Sequence, residues 1–198
     1  MPEKRLLLPA IVLVLALTLA GFGIYQLNKI PKPKFPEISA KFNLMSDHGR
    51  ISSDEMKGKV GLVFFGYTHC PDVCPNTMLT VAATLKKLSN EERAKVKSYF
   101  ITIDPARDTP EITSKYARHF STDLVALSGS QEEVDAAAKS FLVGYEKEKP
   151  NKKGNYGIAH STYIFLVRPD GQVGNLIGHA ETPEEIAETI RYWLKWAD

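Results

Sequence analysis

Cys70 and Cys74 are the only cysteines in the chain. They lie in one stretch, Phe64-Phe65-Gly66-Tyr67-Thr68-His69-Cys70-Pro71-Asp72-Val73-Cys74-Pro75. An apolar run precedes them and reads as a buried strand. The spacing beyond predicts a helix from Thr77 to Leu88, with Pro75 at its first position, where a missing N–H costs nothing. Cys74 is then expected at or near the helix N-cap, where the positive end of the dipole and the free N–H groups favour a thiolate. Two sulfurs held this close have two uses. They can close a disulfide, or they can hold a soft metal ion.

The elements that position this pair follow from the rest of the chain. With 198 residues and 43% hydrophobic content, it can bury one good core. A net charge of +2 and the lack of a basic stripe argue against a nucleic-acid partner. Residues 6–28 carry no charge, and roughly 20 apolar residues are enough to cross a bilayer as a helix. A cleaved signal is the alternative, although Leu17-Thr18-Leu19-Ala20-Gly21 makes a poor cleavage site. Lys4 and Arg5 put the N-terminus on the cytoplasmic side, while Lys29, Lys32 and Lys34 weaken that asymmetry. The expected organisation is a cytoplasmic stub and transmembrane anchor over 1–28, a Pro/Lys-rich tether over 29–36, and a globular domain over 37–198. That domain would lie on the periplasmic or other extracytoplasmic side of the inner membrane.

Within the domain, Phe42 to Ile51 turns at Asp47-His48-Gly49-Arg50 and predicts a small N-terminal β-hairpin. Val60 to Phe65 and Val96 to Ile103 read as strands, and Leu124 to Leu127 as a shorter one. Helices are expected from the Thr109 cap to His119, from Ser130 to Phe141, and from Thr182 to about Trp196, where Thr182 and Glu185 are spaced as a capping box. Ser161 to Val167 and Val173 to Ile177 flank a turn at Arg168-Pro169-Asp170-Gly171 and predict a hairpin. Tyr145 to Ala159 is expected to be one long irregular loop, carrying Lys147, Lys149, Lys152 and Lys153, which could steer an acidic partner. Strands alternating with helices, then a hairpin and a helix, describe an α/β domain of thioredoxin-like order, with helices flanking a central sheet.

Three segments together resemble the Sco/SenC family of copper proteins: Phe65 to Pro75, Ile103-Asp104-Pro105-Ala106-Arg107-Asp108-Thr109-Pro110, and His160-Ser161-Thr162 ahead of Pro169-Asp170-Gly171. Arg168 departs from the pattern, which more often has an acidic residue there. The resemblance implies a thioredoxin-like fold that binds one copper ion through two cysteines and a histidine. Carried over by motif, those ligands are Cys70, Cys74 and His160. It also implies a role in assembling the dinuclear copper site, CuA, of cytochrome c oxidase. Two thiolates and an imidazole suit Cu(I), and can hold Cu(II) if an oxygen or water completes the site. In such a fold, the strand opening at His160 is expected to run beside the strand that carries the cysteine loop.

The other candidates have plainer readings. His69 diverges from its neighbour Cys70 and is expected beside the site or on the surface rather than as a ligand. Asp104, at a strand end, could orient His160 or cap a loop. Asp72 reads as a turn residue, His48, His119 and His179 as surface histidines, and Phe64, Phe65 and Tyr67 as core and site wall. Two functions fit: a membrane-anchored metallochaperone that delivers copper to the CuA-bearing oxidase subunit, or a thiol–disulfide oxidoreductase that reduces that subunit's cysteines. Either needs an external thiol reductant, because only the dithiol binds copper, and the first also needs a copper donor. The four-residue cysteine step and the distant histidine favour the first, since redox members of the fold use a tighter pair.

Overall fold

The computed structural model describes residue 12, residues 15–19 and residues 37–196. Residues 15–19 are helical, and among the described residues no helix is long and apolar enough to cross a membrane. The expected span over 6–28 otherwise lies outside the described residues, as does the tether over 29–36. The chain divides at Pro36 into two units, Met1–Pro36 and Glu37–Asp198.

The second unit opens with the hairpin β1 (Asn43–Ser46) and β2 (Gly49–Ser52), paired from Asn43↔Ser52 to Ser46↔Gly49. Gly49 has φ +124°, a conformation that glycine adopts freely. Then come β3 (Val60–Gly66), α1 (Val73–Lys86), the short α2 (Asn90–Ala94), β4 (Val96–Thr102), α3 (Pro110–Arg118), β5 (Leu124–Leu127) and α4 (Gln131–Ser140). The chain ends with β6 (Tyr145–Lys147), β7 (Ile158–His160), β8 (Ile164–Val167), β9 (Val173–Ile177) and α5 (Pro183–Leu194).

The main sheet has the order β5-β4-β3-β8-β9. β3 runs parallel to β4 and antiparallel to β8, as expected when short helical crossovers join the first strands and a hairpin closes the edge. All seven residues of β3 are buried, so the sheet is covered on both faces. Phe64 and Phe100 meet on one face, where Tyr116 of α3 packs on Phe100 and α1 lies against α5. Phe65, Phe141 and Phe165 form three mutual ring contacts of 5.2–6.0 Å on the other, at the end of α4.

Most expected elements are present, with three differences besides the later start of the strand expected over Ser161–Val167, which is β8 from Ile164. α1 begins at Val73, four residues ahead of Thr77, so Pro75 is the third helical residue. It is tolerated there because the first four helical N–H groups have no intrahelical acceptor. α2 was not expected; a reciprocal capping box between Ser89 and Glu92 holds it. The loop expected over 145–159 keeps its irregular middle, residues 148–157, but its two ends pair as a short ribbon, with Tyr145 opposite His160 and Lys147 opposite Ile158. This ribbon is a separate two-stranded sheet, and Tyr-Glu-Lys has no apolar alternation to announce it.

Candidate metal centre

The C-terminal ends of β3 and β4 carry the site. Gly66 ends β3, and a Cβ built on it would lie 2.8 Å from Cys74 Sγ, so a residue without a side chain lets that sulfur reach the sheet. Tyr67 to Asp72 then form a tight loop, in which the Cys70 N–H donates to the Tyr67 carbonyl over 3.2 Å. Asp72 sits at the N-cap of α1, where its carboxylate accepts from the Asn76 amide over 2.9 Å instead of capping a backbone N–H.

The two thiols are free and differ in character. Cys70 is half-buried. Its burial acts to raise the pKa, but the N–H groups of Asp72, Cys74 and Val73 and the Cys74 thiol outweigh it, and the net shift is downward. Cys74 is fully buried, and desolvation pushes its thiol far up, with the neighbouring Cys70 and Asp108 acting the same way. The expectation that the helix N-terminus would activate Cys74 is therefore corrected. Cys74 lies inside the first turn with its sulfur in the wall of the core, and the free N–H groups point at Cys70 instead.

His160 comes from the far side of the sequence. It is the last residue of β7, not the first of a strand beside β3; that neighbouring strand begins at Ile164. Its Nδ1 lies 2.7 Å from the Ser161 carbonyl, which can only accept, so Nδ1 carries the proton and Nε2 presents its lone pair. Nε2 faces Cys74 Sγ at 3.8 Å. Burial lowers the imidazole's pKa, against the pull of the Ser161 carbonyl, and favours the neutral form that can coordinate. Phe64 and Tyr67 wall the ring at centroid distances of 6.3 and 6.0 Å. A soft ion bonded at about 2.3 Å to sulfur and about 2.0 Å to nitrogen, with angles of about 110–120°, holds those atoms about 3.5–3.8 Å apart. The sulfur–nitrogen spacing fits this. Among the described residues, no three His, Cys, Asp or Glu side chains form a metal-binding group.

Asp104 is buried, and its carboxylate is occupied by Arg107 Nε and by Tyr156 Oη, the latter over 2.9 Å; neither oxygen meets His160. Tyr156 is the centre of a clasp. The Arg107 guanidinium and the Lys147 ammonium each lie 3.6 Å from its ring centroid, and Arg107 also donates to its carbonyl. Together they fix the ribbon that carries His160 to the segment after β4. Ile158 adds a bond from its N–H to Tyr67 Oη over 3.3 Å, and Tyr145 reaches Asp135 and Gln131 of α4.

Sequence reasoning missed Tyr156 and Arg107, and it missed Asp108. Asp108 is fully buried and accepts from the Thr68 N–H at 2.9 Å, the Thr68 hydroxyl at 2.5 Å and the Thr102 hydroxyl at 2.7 Å, which binds the cysteine loop to β4. The signal for it was the acidic pair four apart in the Ile103–Pro110 segment; for Tyr156 it was a lone aromatic in a basic stretch. His69 is exposed, with Nδ1 against the Thr68 hydroxyl and 3.8 Å from Asp108. His48, His119 and His179 are exposed, and His179 lines a cleft of about 310 Å³ with Asp72, Asn76 and Thr162.

A family profile described as SCO1/SenC matches residues 31–195. The chain is 35% identical over 163 residues to "Protein sco1" of Schizosaccharomyces pombe, which covers 80% of this chain and 62% of that protein. The chain thus spans less than two thirds of that relative's length. The structure of Bradyrhizobium japonicum ScoI with copper bound is similar at TM-score 0.73 and 35% identity, over 79% of this chain and 99% of that one. BsSco, described through a disulfide switch and as a member of the Sco family of cytochrome c oxidase assembly proteins, is similar at TM-score 0.63 and 25% identity, over 83% of this chain and 98% of that one.

Proposed function

Because this chain belongs to the SCO1/SenC family, we propose that it is a copper carrier that binds one ion through Cys70, Cys74 and His160 and delivers it to the CuA-bearing subunit of cytochrome c oxidase. The observation that carries this reading is the approach of His160 Nε2 to Cys74 Sγ at 3.8 Å, across 86 residues of sequence, with the proton held on the other ring nitrogen. The copper-bound ScoI and the oxidase-assembly family of BsSco support the same cargo and client.

The two sulfurs divide the work. Ion binding expels the proton from the buried Cys74 thiol, whose thiolate has a backbone hydrogen bond from Tyr67 that only partly offsets its burial. Cys70 is the accessible ligand, so an incoming client thiolate displaces it first, and Cys74 and His160 follow. The uncharged stretch over 6–28 anchors the chain in the inner membrane, with the domain on the extracytoplasmic side. A copper donor and a thiol reductant in that compartment complete the cycle.

A second reading, reduction of the client's disulfide, is favoured by one observation: the half-buried Cys70 has a lowered pKa and is the natural attacking thiol. Cys70 thiolate would displace one client sulfur as a thiolate. Cys74, losing its proton, would then close a disulfide with Cys70 and release the second client sulfur, leaving this pair oxidised and the client reduced.

Titration against a Cu(I) chelator tests the carrier. Reduced protein is expected to bind one copper per chain and oxidised protein none. His160→Ala is expected to lower affinity by orders of magnitude while the disulfide still forms; unchanged affinity would remove the three-ligand site. Mixing copper-loaded protein with the metal-free CuA domain separates the readings, because metal transfer without thiol exchange is the carrier's signature and the reverse is the reductase's.

A further inference from the structure

The pole of the domain opposite the cysteines is marked by aromatic side chains. β3 and β4 begin at this end, the Gly58 N–H donates to the Pro169 carbonyl, and the Arg168–Gln172 turn joins β8 to β9. The chain also joins the domain here: the Ala40 N–H donates to the Gly171 carbonyl and the Val173 N–H to the Ile38 carbonyl. α5 ends at the same pole. Trp193 lies over Gly174, donates from Nε1 to Asn175 Oδ1 over 2.7 Å, and has the Arg168 guanidinium 5.4 Å from its ring. Tyr192 packs against Trp193 and Trp196 at 5.1 and 6.1 Å, and Tyr192 and Trp196 are 51% and 56% exposed. Lys57, Lys59, Arg168 and Lys195 are at this end, with Asp54 and Asp170 pairing Lys57 and Arg168.

Exposed tryptophan and tyrosine, apolar in body and polar at one edge, are the side chains that settle at the headgroup level of a bilayer. Basic residues around them suit anionic headgroups. Eight residues, 29–36, separate the uncharged stretch over 6–28 from the domain, whose chain enters at this pole. We propose that Tyr192 and Trp196, backed by the half-buried Trp193, seat the domain in the interface of the lipid bilayer, with the cysteine site facing away from it. The proposal rests on the membrane-anchor reading. The seven residues of β3 then hold the site about 20 Å beyond the seated end, at a height the client's own copper site must match.

The chain has two tryptophans, and both are in this cluster, so its tryptophan emission reports on the pole alone. The full chain is reconstituted into anionic vesicles whose phospholipids are brominated high on the acyl chain, close to the headgroup. Expected is a loss of tryptophan emission relative to unbrominated vesicles, a smaller loss when the bromines lie deep, and relief of the loss in Tyr192→Glu but not in Tyr192→Phe. Retained chain with equal emission in all vesicles would overturn the proposal and leave the anchor standing. Release of the chain from vesicles in alkaline carbonate would remove the anchor and the proposal together. Quenching in Tyr192→Glu equal to wild type would place the contact elsewhere and overturn the aromatic seat.

Discussion

Replacing Tyr156 with phenylalanine removes one bond from the clasp and leaves its ring contacts in place. Tyr156 Oη donates to Asp104 Oδ1 over 2.9 Å, and Asp104 is only 5% exposed, so water is a poor substitute for the lost hydroxyl. A hydrogen bond to a charged, buried acceptor contributes about 1.5–3 kcal/mol. The ribbon shares no strand pairing with the main sheet, so this energy bears directly on whether His160 stays beside Cys74 Sγ. At about 1.4 kcal/mol per decade, Tyr156→Phe is expected to weaken Cu(I) binding about 10- to 100-fold. Tyr156→Ala also loses the Arg107 and Lys147 contacts at 3.6 Å, each worth about 0.5–1 kcal/mol, and is expected to lose about one further decade. His160→Ala sets the ceiling, because an opened ribbon can remove no more than the imidazole. The assay is competition with a Cu(I) chelator, with thermal unfolding in parallel. Full affinity in both Tyr156 variants would refute the reasoning. So would an equal further loss when Tyr156→Ala is added to His160→Ala, since the clasp acts only through that ring.

Gly66→Ala puts a Cβ 2.8 Å from Cys74 Sγ and 2.9 Å from Phe64 Cε1. Overpacking of this kind costs about 1–3 kcal/mol, so a lower Tm and faster alkylation of Cys74 are expected; unchanged labelling would mean the sulfur is not held by this contact. Asp47 ties the first hairpin to α3, and the hydrogen bond from Arg118 holds its carboxyl below the ordinary range, against burial and with help from Ser114. A folded pKa below the unfolded one adds stability that is complete above about pH 4 and is lost as pH falls through the folded value. Asp47→Asn is expected to flatten the acid limb of a urea-unfolding series below that pH, and an identical slope would discount the pair.

Much of the fold is legible because its signals are local. The Thr109, Ser130 and Thr182 caps start α3, α4 and α5 where their side chains accept the N3 amide, and the apolar run at Val60 becomes the fully buried β3. The ribbon of β6 and β7 was not legible, because three exposed or half-exposed residues of mixed type pair with a partner across a ten-residue loop. The start of α1 was misread because Pro75 suits either the first or the third helical position.

By itself the sequence determined the chemistry on offer: two sulfurs four residues apart, a histidine in a third segment, and the strand–helix order that carries them. Only the tertiary structure decided how those groups behave. Helix N–H groups converge on Cys70 while the core closes over Cys74, so the two thiols shift in opposite directions. The His160 tautomer follows from a carbonyl beside it, and its seat beside Cys74 from the bond between Tyr156 and Asp104, 52 residues apart. Caps and periodicity act within a few residues, whereas burial and hydrogen-bond partners arise from segments that only folding brings together.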